Sequence, residues 1–209
     1  MTNEVASSAD SAPLAEPLDS RPRCGWAGND PLYQRYHDDE WGVALHGDRA
    51  LFEKLSLEAF QSGLSWITIL RRREGFRRAF HDFDWQRVAA FDVHDVARLM
   101  ADEGIIRNRA KIDATISNAR VLLEWLDVEP GGLDALIWSF RPAARSTRPA
   151  TLAELPAQTD ESRALARALK ARGLRFVGPT TAYALMQSAG LVDDHVTGCW
   201  RAAEEFRAR

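Results

Sequence analysis

From residue 47 to residue 128 the apolar residues of this chain recur every three or four positions through five successive segments. The segments are GDRALFEKLSLEAF, SWITILRRREGFRRAF, DWQRVAAF, DVHDVARLMADEG and NRAKIDATISNARVLLEWL. A period of 3.6 turns one face of each segment toward a core, which is the pattern of packed helices and not of a sheet. Local signals agree. Asp92 is a natural N-cap, Val93, Val96, Ala97 and Met100 follow helical spacing, and Gly104 closes the run. A Pro- and Gly-containing stretch over 129–158, with one apolar turn (LDALIWSF) inside it, leads to a last pair of helices, DESRALARALKARG and PTTAYALMQSAG. Gly173 and Gly190 stand where helices end and Pro179 where one begins. No repeat and no convincing strand appears in the text, so the expected fold class is all-α.

With 209 residues, 45% of them hydrophobic, the chain can bury a core, and one domain over 21–209 is expected. The first twenty residues hold Ala, Ser, Pro and four acids but no aromatic residue, a composition that cannot repay ordering. They are expected to form a disordered acidic tail. No apolar run approaches the roughly 18 residues of a membrane span, and no secretory leader opens the chain, so a cytoplasmic protein is expected. In a reducing compartment two cysteines point to a metal or to free thiols before a disulfide. The formal charge of −3 is set by the tail, because residues 21–209 carry 26 acids against 27 bases. The bases cluster in RRREGFRR, RNRAK, RPAARSTR and RALARALKARGLR, which reads either as a phosphate-binding surface or as a salt-bridge lattice.

Two segments at opposite ends carry metal-ligand chemistry. Cys24 precedes His37 by twelve intervening residues, and His195 precedes Cys199 by three. Two thiolates and two imidazoles suit a tetrahedral zinc whose four protein ligands leave no open position, hence one structural ion. Unrelated buried Cys and His residues are the alternative. Such a site would tie together segments about 160 residues apart and close a very long loop. His46, His81 and His94 have no comparable partner in the sequence.

The stretch LKARGLRFVGPTTAYALM places Gly173 and Gly178 around a short interhelical turn, with Leu174 and Val177 available to plug the angle. Gly178 leaves bare backbone at a helix start, where unpaired N–H groups favour a phosphate. An ordinary helical corner has similar needs. The stretch resembles the helix-hairpin-helix motif of the DNA glycosylase superfamily, which puts that motif at about 160–190. The resemblance implies that Gly173, Arg175, Gly178 and Thr180, flanked by Arg172, meet the DNA backbone. Thr180 stands where lyase members of that superfamily carry a Schiff-base lysine, so no lyase step is expected. Two cysteines cannot supply the four thiolates of an iron–sulfur branch.

RCGWAGNDPLYQRYHDDEWG, LEAFQSGLSWITIL, GIIRNRAKIDATISNAR and VGPTTAYALMQSAGLVDDHVTGC extend the likeness over residues 22–199. Together they resemble the bacterial DNA-3-methyladenine glycosylase I family. That resemblance implies hydrolytic excision of 3-methyladenine from alkylated double-stranded DNA by a monomer without membrane partners, in base excision repair. It implies one structural Zn2+ on Cys24, His37, His195 and Cys199, a base-recognising carboxylate at Glu58, and stacking aromatics at Trp26, Tyr36 and Trp66. On periodicity alone Trp66 reads as core, and Tyr33 and Trp41 either line the pocket or pack beneath it. Asp193 falls where the wider superfamily has an aspartate that activates water or stabilises the sugar cation, whereas this family commonly has asparagine. It is either a catalytic carboxylate or a helix cap. The competing class is a zinc-stabilised helical DNA-binding module without catalysis, which would need neither Glu58 nor a stacking pocket.

Overall fold

The computed structural model describes residues 18–145 and 147–204, and among them every regular element is helical. The helices are α1 (Pro31–Asp39), α2 (Asp48–Gln61), α3 (Trp66–Leu70), α4 (Arg73–Ala79), α5 (Trp85–Ala89), α6 (Val93–Ala101), α7 (Arg109–Val128), α8 (Gly132–Trp138), α9 (Asp160–Ala171), α10 (Pro179–Ser188) and α11 (Trp200–Glu204). The tail expected over 1–20 lies outside the described residues as far as residue 17. Leu18 and Asp19 engage the body, the backbone N–H of Leu18 donating to Gln34 and the Asp19 carboxylate pairing with Arg21 and Arg23.

α2 is the axis of the molecule. Nine of its residues are buried, among them Leu51, Phe52, Leu55, Leu57 and Phe60, so it is enclosed on nearly every side instead of showing one apolar stripe. Helices α3, α7, α8 and α10 all pack against it. Phe60, Phe76, Phe80 and Phe83 form a chain of rings 4.6–6.3 Å apart that seals its C-terminal half. The position of Gly190 is dictated by contact. At φ +76° it follows α10, and a Cβ there would stand 2.7 Å from the backbone of Val43 and Ala44. That approach, with the Leu45 N–H donating to the Ala189 carbonyl at 3.1 Å, presses the end of α10 onto the N-terminal segment.

Two expectations need correction. SWITILRRREGFRRAF does not form one helix; it breaks at Arg71 and Arg72 into α3 and α4, which lets Trp66 and Phe76 face different neighbours. In α6 the buried residues are Val96 and Leu99, whereas Val93, Ala97 and Met100 are exposed, because this peripheral helix packs along one line against α7. Its start is as expected, with the Asp92 carboxylate accepting from the backbone of His94 and Asp95 in a capping box. α1 lies in a stretch where periodicity gives no helix; the Asp30 cap and Pro31 at its first turn are the local signals that define it.

Candidate active site and metal centre

α1, α2, α3 and α10 converge on a cavity of about 190 Å³ walled by Trp26, Tyr33, Tyr36, Trp41 and Trp66, with Glu58, Gln61 and Gln187 as polar groups. It is smaller than the usual ~300–1,000 Å³ of sites for drug-sized ligands, so one flat ring system is the scale of occupant it admits. Trp66 opens α3 immediately after the Gly63 turn, and its ring centroid lies 5.3 Å from that of Tyr36. Trp26 touches Tyr33 at 4.9 Å and Trp41 at 5.1 Å. Tyr33 and Trp41 therefore line the cavity. Burial and the nearby Glu58 push the Tyr36 phenol well up, so it keeps its proton.

Glu58 is buried in the third turn of α2, and Ser188 at the end of α10 donates to its Oε1 at 2.8 Å. Burial raises its carboxyl to about 7; Lys54, one helical turn earlier, and the Ser188 hydrogen bond only partly oppose that rise. Near neutral pH the group is thus divided between acid and anion, and a cation entering the cavity favours the anion. Ser188 and Gln187 escaped the sequence reading because they sit 130 and 129 residues beyond Glu58. No local pattern marks such a pairing.

Cys24, His37, His195 and Cys199 come together as a buried cluster in which one ligand atom from each lies within 4.8 Å of the others, a group that can hold a metal ion. His37 Nδ1 lies 2.9 Å from the Asp38 carboxylate, which leaves Nε2, 3.3 Å from Cys199 Sγ, as the inward nitrogen. His195 is reversed. Its Nε2 faces the Trp41 carbonyl at 3.3 Å, and its Nδ1 lies 3.6 Å from both sulfurs. Each imidazole is thus oriented from behind by an acceptor, the usual way a protein fixes the tautomer of a ligand histidine. Burial works to raise Asp38, but hydrogen bonds from Arg23, His37 and Trp200 hold it down at about 2. A hydrogen bond from Cys24 draws the Cys199 thiol down against desolvation, with His195 and His37 adding to it.

Asp193 is not among the residues lining the aromatic cavity. It pairs with Arg148, and its Oδ1 accepts from the backbone N–H of His195 at 3.2 Å. Asp194 is the buried acid, accepting from Tyr183 at 2.6 Å and from Gln187 at 2.8 Å and facing Arg145 at 3.0 Å. Much of the basic clustering is a lattice of such pairs: Arg73 with Glu40, Arg77 with Glu53 and Glu74, Arg109 with Asp113, and Arg163 with Asp160. His46, without an apparent partner in the sequence, faces Asp134 at 3.1 Å and stacks on Trp138.

Between α9 and α10 the turn is closed by Gly173 at φ +93°, while Leu174 and Val177 are buried as plugs. Phe176 holds a left-handed backbone (φ +57°) and is 41% exposed. Asn118 of α7 clamps the turn from below: its side chain accepts from the Arg175 N–H at 2.7 Å and donates to the Arg175 carbonyl at 3.1 Å. Gly178 has φ −70°, and a Cβ would meet nothing within 4 Å. Neither conformation nor internal packing demands glycine there.

An enclosed helical frame, an aromatic-walled cavity with one buried carboxylate, and an exposed interhelical turn define an all-helical protein with a cavity of the size of a small ring. Residues 26–202 match the family model described as methyladenine glycosylase. The chain is 50% identical over 180 residues to DNA-3-methyladenine glycosylase 1 of Escherichia coli, covering 85% of this chain and 95% of that protein. A crystal structure of 3-methyladenine DNA glycosylase I is similar with a TM-score of 0.81 at 49% identity, over 86% of this chain and 98% of the other. A structure describing 3-methyladenine recognition by the Staphylococcus aureus enzyme is similar with a TM-score of 0.79 at 32% identity, over 85% and 95% of the two chains. The chain belongs to the methyladenine glycosylase family.

Proposed function

We propose that the protein is a monofunctional DNA glycosylase that flips 3-methyladenine out of alkylated duplex DNA and hydrolyses its N-glycosidic bond, leaving an abasic site. The observation that carries this reading is the buried Glu58 carboxylate facing a cavity walled by Tyr36 and Trp66. A purine methylated at N3 is cationic in DNA. Flat aromatic faces attract such a ring by stacking and cation–π contact, and an anionic carboxylate accepts from its amine edge. The bond between the sugar carbon and the base breaks with its electron pair going to the base, which leaves neutral. Water then bonds to the sugar carbon and gives its proton to solvent. Because methylation already makes the base a good leaving group, holding the cation and the sugar-cation transition state supplies most of the acceleration. Leu64, 42% exposed in the turn between the cavity residues Gln61 and Trp66, is placed to fill the stack that the base vacates.

The interhelical turn is read as a helix-hairpin-helix. Gly173, Arg175, Gly178 and Thr180 meet the DNA backbone, and the open space at Gly178 supports close approach of a phosphate to the start of α10. Thr180 offers no amine, which supports hydrolysis without a lyase step. The metal is read as one structural zinc on Cys24, His37, His195 and Cys199. A tetrahedral zinc with Zn–S of about 2.3 Å and Zn–N of about 2.0 Å has N···S edges of about 3.5 Å, and the three contacts of 3.3–3.6 Å support it. With four protein ligands the ion supplies cross-linking and no reactive water. Asp193 is read as a cap that orients the His195 backbone, its Arg148 pairing and its place outside the cavity supporting that role over a catalytic one. One glycosylase domain over 21–209, acting as a cytoplasmic monomer, completes the reading; no described helix is long and apolar enough to cross a membrane.

Incubation with methylated duplex DNA tests the proposal. Free 3-methyladenine and abasic sites are expected in step. DNA binding without base release would favour the non-catalytic binding module.

A further inference from the structure

Lys54 is a buried cation for which the excision chemistry above has no use. Its ammonium donates to the Tyr36 hydroxyl at 3.4 Å and stands 5.0 Å from the Tyr36 ring and 5.3 Å from the Trp66 ring. These are two rings that wall the base cavity. On α2 it lies four residues before Glu58, so the two side chains share one helix face. Behind it a second cavity, of about 210 Å³, is lined by Lys54 together with Glu40, Glu53, Arg73 and Ser188. Ser188 also donates to Glu58, so Lys54, Tyr36, Ser188 and Glu58 form a partition between two cavities.

An ammonium costs far more to bury than the leucines around it, and its neighbours are arranged to keep it charged. The charged groups facing it are Glu53 and Glu58 from α2, Glu40 from the end of α1 and Arg73 from α4. Arg73 is itself paired with Glu40, and Arg77 with Glu53. Desolvation lowers Lys54 from the ordinary lysine value while the carboxylates raise it. Around Glu58 the other titratable groups are Tyr33 and Tyr36, both pushed up and protonated.

We propose that Lys54 is a positioning residue that sets the charge of the base pocket: from behind Tyr36 and Trp66 its ammonium favours the Glu58 anion and so fixes the pH range in which a cationic purine is accepted. The inference rests on the reading of Glu58 as the base-recognising carboxylate. Removing a unit charge one helical turn away moves a buried carboxyl by about one pH unit.

The test combines two readouts. In Lys54→Met the acid limb of kcat/KM for excision is expected to move up by about one pH unit, with a severalfold loss at pH 7 that recovers by pH 9. Lys54→Arg is expected to keep the original limb. An unmoved limb, or an equal loss at every pH, overturns the proposal. Thermal unfolding from pH 5 to 9 decides it independently of activity. The pH at which the stabilising effect of Glu58→Gln reaches its plateau is expected to be higher in the Lys54→Met background than in the parent, because that plateau follows the folded-state titration of Glu58. An unchanged plateau pH overturns the charge-setting role, whereas absence of excision by the unaltered protein counts against the glycosylase reading alone.

Discussion

Glu58 places opposing demands on the chain. Folding must bury a carboxyl that rises to about 7, while the proposed recognition of a cation needs its anion. Because the folded value lies above the unfolded one, the protonated group favours the folded state most fully below about pH 4.5, and that advantage disappears as pH rises through 7. The difference is about 3 kcal/mol. Glu58→Gln is therefore expected to match the parent in thermal stability at pH 4.5 and exceed it at pH 8, as melting curves across that range will show. The same substitution is expected to lower excision by at least tenfold at pH 7.5. Asp193 makes the contrast, since Asp193→Asn keeps an acceptor for the His195 N–H. Its single-turnover excision rate is expected to stay within about threefold of the parent, and a hundredfold fall would make the carboxylate catalytic. What identified Glu58 and Trp66 in the sequence was resemblance. Periodicity makes Trp66 core, and both residues are buried, so burial pattern alone cannot separate a pocket wall from packing.

Most helices between residues 47 and 128 were legible as elements, because capping at Asp92 and a 3.6-residue apolar period are local properties. The break between α3 and α4 was not. It is imposed by what the two halves pack against, the aromatic cavity for Trp66 and the phenylalanine chain for Phe76. Asn118 is equally invisible in the sequence, since its partner lies 57 residues away in the turn between α9 and α10. At this scale the turn before α10 and the packing at its far end are testable apart. Arg175→Ala is expected to weaken binding to every DNA sequence alike and to lower the salt dependence by about one released ion, with melting unchanged. Gly190→Ala is expected to act on folding instead. The residue must keep φ +76° while a Cβ enters the Val43–Ala44 backbone, so a loss of about 2 kcal/mol or more in chemical denaturation is predicted.

For the whole molecule, the decisive connection runs from the first described residues to the last helix. Trp200 donates through its backbone to Pro22 and through its indole to Asp38, and the Cys24, His37, His195 and Cys199 cluster lies within that junction. The spacing of the four residues in the sequence allowed a metal or unrelated core residues; their convergence to within 4.8 Å is a property of the folded chain. Metal analysis is expected to find about one zinc per chain. Cys199→Ala is expected to lose it together with several degrees of melting temperature, because the closed loop is very long. Activity should follow the folded fraction during chelation, unlike that of a zinc hydrolase, which would fail while still folded. The central claim is that this frame exists to extract one cationic base, and the most direct measurement is single-turnover release from methylated duplex DNA, with the freed base and the remaining strand analysed together. Release of 3-methyladenine, an intact abasic strand without lyase cleavage, and loss of release in Glu58→Gln are predicted; an unreleased base on tightly bound DNA, or release indifferent to Glu58, would contradict the account.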